Sequence, residues 1–257
     1  MKFFFQRKFV IFFYALFLFL FASIHGDITY YASKEAVNPY NKQVLKPYLL
    51  PKSHPLYPQL RNLFKNPKMF KSADEFRKEG FHIQFGHKGL MVASHPNIKG
   101  YLFKKFPDKR SKETQLENYI RRIEGANTIR KFIEGNHFKH LMVPQKWLYR
   151  TPYGYILIVE KMDIYNLNET NNRYFQIDPE ILKELCTTLH ALGGCDAFTR
   201  NQPFTRSGKI AFVDTEHVGH MRNAFHKHIL PALRHEMREY AISLWKKLDR
   251  ETLGKKS

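Results

Sequence analysis

The sequence predicts an α+β fold of two lobes, a small antiparallel-sheet lobe and a reduced helical lobe, with a cleft between them. Three observations predict it. Short strand-like runs cluster between residues 81 and 106. One long amphipathic stretch separates them from two more. Beyond residue 163 the pattern is helical apart from one hairpin.

The chain opens with Lys2, Arg7 and Lys8, followed by an unbroken apolar run from Phe9 to Ala22. A basic start and an apolar stretch of that length form a secretory signal, and the run is shorter than the roughly 18–20 residues that span a bilayer comfortably. Residues 1–26 therefore read as a signal peptide or membrane anchor, and the protein as secreted or membrane-anchored. Gly26 completes only half of a small-residue cleavage site, with Ile24 two positions before it. Residues 27–79 form a proline-dotted N-terminal extension, with a short helix expected over Pro58 to Phe64. In Ser72-Ala-Asp-Glu75 a capping box starts another helix, running to about Lys78.

Strands are expected at Phe81–Phe85, Gly89–Ala93 and Gly100–Phe106, because turn residues bracket each apolar run. From Lys112 to about Glu134, Leu116, Tyr119, Ile120, Ile123, Ile129 and Ile133 recur at helical spacing. Gln145–Tyr149 and Tyr155–Glu160 read as strands, and residues 80–162 as the small lobe. The large lobe, 163–257, holds a helix from Pro179 to Leu192 and a hairpin of Pro203–Arg206 with Lys209–Val213. A last helix, from about Arg222 to Leu248, is kinked at Pro231.

The net charge is +19, and +16 once Lys2, Arg7 and Lys8 are set aside. A basic balance of that size favours anionic partners such as nucleotides or an anionic membrane surface. No clear nucleic-acid site accompanies it, because the lysines do not interleave with aromatics along one element. The two cysteines, Cys186 and Cys195, exclude a disulfide framework and leave open one bridge or two buried thiols.

The most informative segment is Cys195-Asp196-Ala-Phe-Thr-Arg-Asn201, followed by the hairpin and then Asp214-Thr215-Glu216. An Asp and an Asn five apart on a loop, with a further Asp behind an apolar strand, can surround one phosphate–metal site. Phosphoryl transfer needs a carboxylate to orient the attacking hydroxyl, and oxygen ligands to hold magnesium against the phosphates. Asp196 fits the first task. Asn201 and Asp214 fit the second.

With these residues the chain resembles the protein-kinase-like superfamily, as an atypical, minimal, exported member. That resemblance implies an ATP-dependent phosphotransferase using ATP and Mg2+, with an unknown protein or small-molecule acceptor. It implies that Lys104, in Tyr101-Leu-Phe-Lys104, contacts the phosphates, with Lys105 the other choice. Glu124 would partner that lysine from the long helix, with Glu117 close behind. In Tyr155-Ile-Leu-Ile-Val-Glu-Lys-Met162, the backbone of Glu160 and Met162 would bond adenine, and Val159 would line its pocket.

The chain departs from the family in several places. Gly86-His-Lys-Gly89 stands where a glycine-rich loop is usual, Gly194-Cys195 replaces His-Arg before Asp196, and Asp-Phe-Gly becomes Asp214-Thr-Glu216. Only 43 residues follow Asp214, and they contain no Ala-Pro-Glu segment. Two other readings stand beside the enzyme. One is a pseudokinase, or a basic binding or effector module. The other is a zinc site built from His217, His220, His226 and His228, or from Cys186 and His190 at i, i+4 on one helix face.

Overall fold

The computed structural model describes residues 42–86, 89–106, 111–151, 154–221 and 223–254. The expected signal, residues 1–26, lies outside them. Among the described residues no helix is long and apolar enough to cross a membrane. The chain divides into two units, Met1–Pro47 and Tyr48–Ser257. In the first, the described part carries helix α1 (Lys42–Leu45).

The second unit is α+β, as the sequence predicts. Its helices α2 (Leu56–Leu63) and α3 (Ala73–Lys78) precede three strands, β1 (His82–Phe85), β2 (Met91–His95) and β3 (Ile98–Lys105). Ser72 caps α3 by accepting from the Glu75 amide at 3.2 Å, as the capping box requires. Helix α4 (Lys112–Gly135) follows, capped by Ser111, and then the short strand β4 (Leu141–Met142). Strands β5 (Lys146–Thr151) and β6 (Gly154–Glu160) complete an antiparallel five-stranded sheet in the order β1-β2-β3-β6-β5.

The register decides which side chains share a face. Lys104 on β3 stands opposite Leu157 on β6, which stands opposite Leu148 on β5. Because strand side chains alternate, Leu102, Val159 and Lys146 lie on that same face. Helix α4 packs against it, and the Tyr119 hydroxyl accepts from the Phe106 amide at 2.9 Å. The opposite face carries Met91, Ala93, Phe103, Tyr149, Ile156 and Ile158. These join Leu60, Phe64, Phe70 and Phe76 from the preceding segment in one core. Ring contacts tie that core together, Phe64 lying 5.6 Å from Phe103 and 5.5 Å from Tyr149. The sheet is thus covered on both sides.

A second core lies in the C-terminal half, around α5 (Leu167–Phe175), α6 (Pro179–Ala191) and α7 (His235–Gly254). The sequence reading missed α5, although Asn166 and Glu169 form a complete capping box for it. Its nine residues are mostly polar, so apolar periodicity barely registers there. The expected hairpin turns at Gly208 (φ +82°), with the Thr205 amide donating to the Lys209 carbonyl at 2.7 Å. Its second arm, β7 (Ile210–Ala211), pairs in parallel with β4.

The stretch expected as one kinked helix to Leu248 is instead divided. A π-helical turn, Phe225–Ile229, and a 3-10 turn, Leu230–Ala232, lead to a break before α7. Pro231 supplies no amide hydrogen and its ring crowds the preceding turn, so the helix stops where it was expected only to bend. Cys186 and Cys195 are buried free thiols. Burial raises the pKa of both, and that of Cys195 reaches about 12 with the charges of Asp196 and Asp214 adding to the effect.

Candidate functional site

The loop after α6 is built from backbone bonds. Asn201 donates from Nδ2 to the Asp196 carbonyl at 3.0 Å, and the Val213 amide donates to the Asn201 carbonyl at 3.0 Å. These two bonds place Asp196, Asn201 and the segment before Asp214 side by side. They also leave Asn201 Oδ1 and the Asp196 carboxylate without a hydrogen-bond donor among the described residues. Asp214 Oδ1 is buried and likewise has no hydrogen-bond partner among the described residues. Buried carboxylate oxygens are rarely left so.

Lys104, on β3, feels the charge of this place. Its ammonium is buried, which lowers its pKa; Asp214 opposes that shift, Arg122 adds to it, and Glu216 opposes it. For Asp214, burial alone would raise the pKa, but the combined field of Arg122, Lys104 and Lys146 outweighs burial and holds it below the ordinary value. Residues some 110 positions apart in the sequence, Lys104 and Asp214, therefore share one electrostatic environment.

Two cations that the sequence reading did not single out complete it. Arg122, 7% exposed, pairs with Glu216, lies 3.9 Å from Asp214 Oδ1 through Nε, and sits over the Phe106 ring at 5.1 Å. Lys146, 4% exposed, donates to the Thr215 hydroxyl at 2.7 Å and to the Val213 carbonyl at 3.2 Å. Burial drives its pKa well down, and the neighbouring Lys104 charge reinforces the effect. Three basic side chains thus lie around two carboxylates.

Both had a signal in the sequence. Tyr119, Arg122, Ala126, Ile129 and Ile133 follow one helical stripe, so Arg122 falls on the buried side. Lys146 alternates with Leu148 on an apolar strand face. A charge on an apolar stripe is the pattern to look for.

Glu124 is not brought to Lys104. Its carboxylate accepts from the Tyr48 hydroxyl at 2.6 Å, and burial raises its pKa. The reason is helical geometry: two residues are about 200° of turn, so the face that aims Arg122 at Asp214 turns Glu124 away. Glu117, the other choice, pairs with Arg121 on the exposed side. Val159 is buried on the Lys104 face. The Glu160 carboxylate accepts from the Gln145 amide at 3.1 Å, and Met162 is half-buried just past β6.

Neither zinc reading gains a site. Among the described residues the group whose ligand atoms converge, within 4.8 Å, is His140, Glu180 and Glu184. Glu184 is already engaged there, accepting from the amides of Lys139 and His140 at 3.1 and 2.9 Å. His190 contacts Asp249 at 2.9 Å, and His228 stacks on Phe198 at 3.9 Å. No family model matches the chain, and no characterised protein matches it in sequence.

Proposed function

We propose that this chain is a minimal kinase-like protein that transfers phosphate from ATP to a hydroxyl. The observation that carries this reading is that Asp214 lies in the combined field of Arg122, Lys104 and Lys146, beyond a loop in which Asn201 donates to the Asp196 backbone. The strand order β1-β2-β3-β6-β5, with the long helix α4 between β3 and the last two sheet strands, supports it. So does the placing of Val159 on the Lys104 face of the sheet.

The donor set suits a hard cation. Asn201 Oδ1 and the Asp214 carboxylate offer oxygen ligands, and Mg2+ held there would neutralise charge on the transferring phosphate. Lys104 adds a basic group for the same phosphates, and the Asp196 carboxylate, without a hydrogen-bond donor among the described residues, can accept the proton of the attacking hydroxyl. Export, if residues 1–26 direct it, requires a destination that contains ATP.

A second reading has an observation of its own. Arg122 Nε stands 3.9 Å from Asp214 Oδ1, where its charge competes with a metal ion; a pseudokinase that binds nucleotide without turnover would tolerate that. Measurement of ATP-dependent phosphate transfer by the wild type and Asp214→Ala separates the readings. Transfer by the wild type alone supports the enzyme. Binding of Mg2+–ATP without transfer by either supports the pseudokinase, and absence of both sinks the kinase-like reading.

A further inference from the structure

Thr215 is fully buried and fastened on both sides. Its hydroxyl donates to the Arg122 carbonyl of α4 at 2.5 Å and accepts from Lys146 Nζ of β5 at 2.7 Å. Lys146 also bonds the Val213 carbonyl, one residue before Asp214, while the Arg122 side chain pairs with Glu216, two residues after it. The backbone of this segment lies so close to α4 that a Cβ on Gly125 would fall 1.9 Å from the Thr215 carbonyl oxygen. A helix, a strand and the segment Val213–Glu216 therefore meet at one hydroxyl.

We infer that Thr215 is a positioning residue that holds the Asp214 carboxylate in place before any ligand arrives, through a buried Lys146–Thr215–Arg122 relay. The chemistry supports this over simple filling of space. An apolar side chain of the same size would satisfy the packing, but it would leave the Arg122 carbonyl and the Lys146 ammonium each short of a partner. With the relay in place the segment has no freedom to swing, and Asp214 Oδ1 is held without a hydrogen-bond partner among the described residues, with Arg122 Nε 3.9 Å away. The site is then assembled by the fold alone, without a modified loop to order it.

The inference rests on the proposed role of Asp214 as a metal ligand, and the experiment separates the two. Thr215→Val keeps the shape and removes the hydroxyl; Thr215→Ser keeps the hydroxyl. Binding of Mn2+–ATP is measured by titration calorimetry, and amide hydrogen exchange is followed across residues 213–219. The expected result is that Thr215→Val weakens binding about tenfold, the loss of one good hydrogen bond, and speeds exchange there. Thr215→Ser stays within about twofold of wild type, less than one such bond is worth. Affinity and exchange unchanged in Thr215→Val would overturn the relay, as would equal impairment of both variants. If the wild type binds no Mn2+–ATP, the proposed function falls, and the relay is judged on exchange alone: faster in Val than in Ser supports it, and no difference overturns it.

Discussion

Gly125 sits in the middle of α4, where helix propensity alone argues for replacing it. Exchanging a mid-helix glycine for alanine gains about 1 kcal/mol in an exposed helix. Here the new methyl would lie 1.9 Å from the Thr215 carbonyl oxygen, 3.0 Å from its carbon and 3.2 Å from Val218 Cγ2. An ordinary contact begins near 3.4 Å, so helix and segment must part by about 1.5 Å. Forced overpacking costs roughly 1–3 kcal/mol, and the upper end applies because the clashing atom is backbone and cannot rotate away. The clash outweighs the propensity gain, leaving a net loss of about 2 kcal/mol. For a unit of this size that lowers the melting temperature by about 4–8 °C.

Thermal unfolding of Gly125→Ala against wild type measures the effect. Gly135→Ala serves as control, because nothing lies within 4 Å of its Cβ position at the end of the same helix. The control should hold or gain stability. A melting temperature for Gly125→Ala at or above that of wild type would refute the close approach of α4 to Thr215, and with it the geometry of the site.

Two further predictions concern the charges. Lys146→Met should lower the melting temperature, because it leaves the Val213 carbonyl and the Thr215 hydroxyl without their buried donor, at a cost of about 1–3 kcal/mol. The same variant should weaken Mn2+–ATP binding; a lower melting temperature with binding intact would make Lys146 purely structural. Asp214 has a folded pKa held below its ordinary value of 3.8, so its contribution to stability is complete above that pH and is lost as pH falls through the folded pKa. The stability difference between wild type and Asp214→Asn should therefore be flat above pH 3.8 and shift in the variant's favour below it, as measured by urea unfolding across acid pH. A difference that is constant throughout would show that Asp214 feels no net cationic field.

Much of the fold was legible because its signals are local. The apolar run in Tyr155-Ile-Leu-Ile-Val-Glu160 and the apolar stripe of α4 emerge at nearly the expected boundaries. The capping oxygens of Ser72 and Ser111 lie where each helix begins. Helix α5 escaped notice because its stability comes from a capping box and from a few inward residues such as Tyr174, not from an apolar period. The break at Pro231 was under-read, since a proline tells that a helix is disturbed and its surroundings tell by how much.

The candidate site divides the same way. Sequence spacing brought out Asp196, Asn201 and Asp214, because loop–hairpin–carboxylate is a pattern written along the chain. Glu124 was chosen on resemblance, and the pitch of α4 turns it to Tyr48 instead. Lys146 and Arg122 meet Thr215 only after the sheet register and the helix packing have set their directions. By itself, the sequence determined the α+β class, the order of the elements and the loop that carries the carboxylates. Only the tertiary structure decided which cations face Asp214. Local periodicity says which face of an element is buried, whereas charge pairing depends on distances between residues remote in the chain.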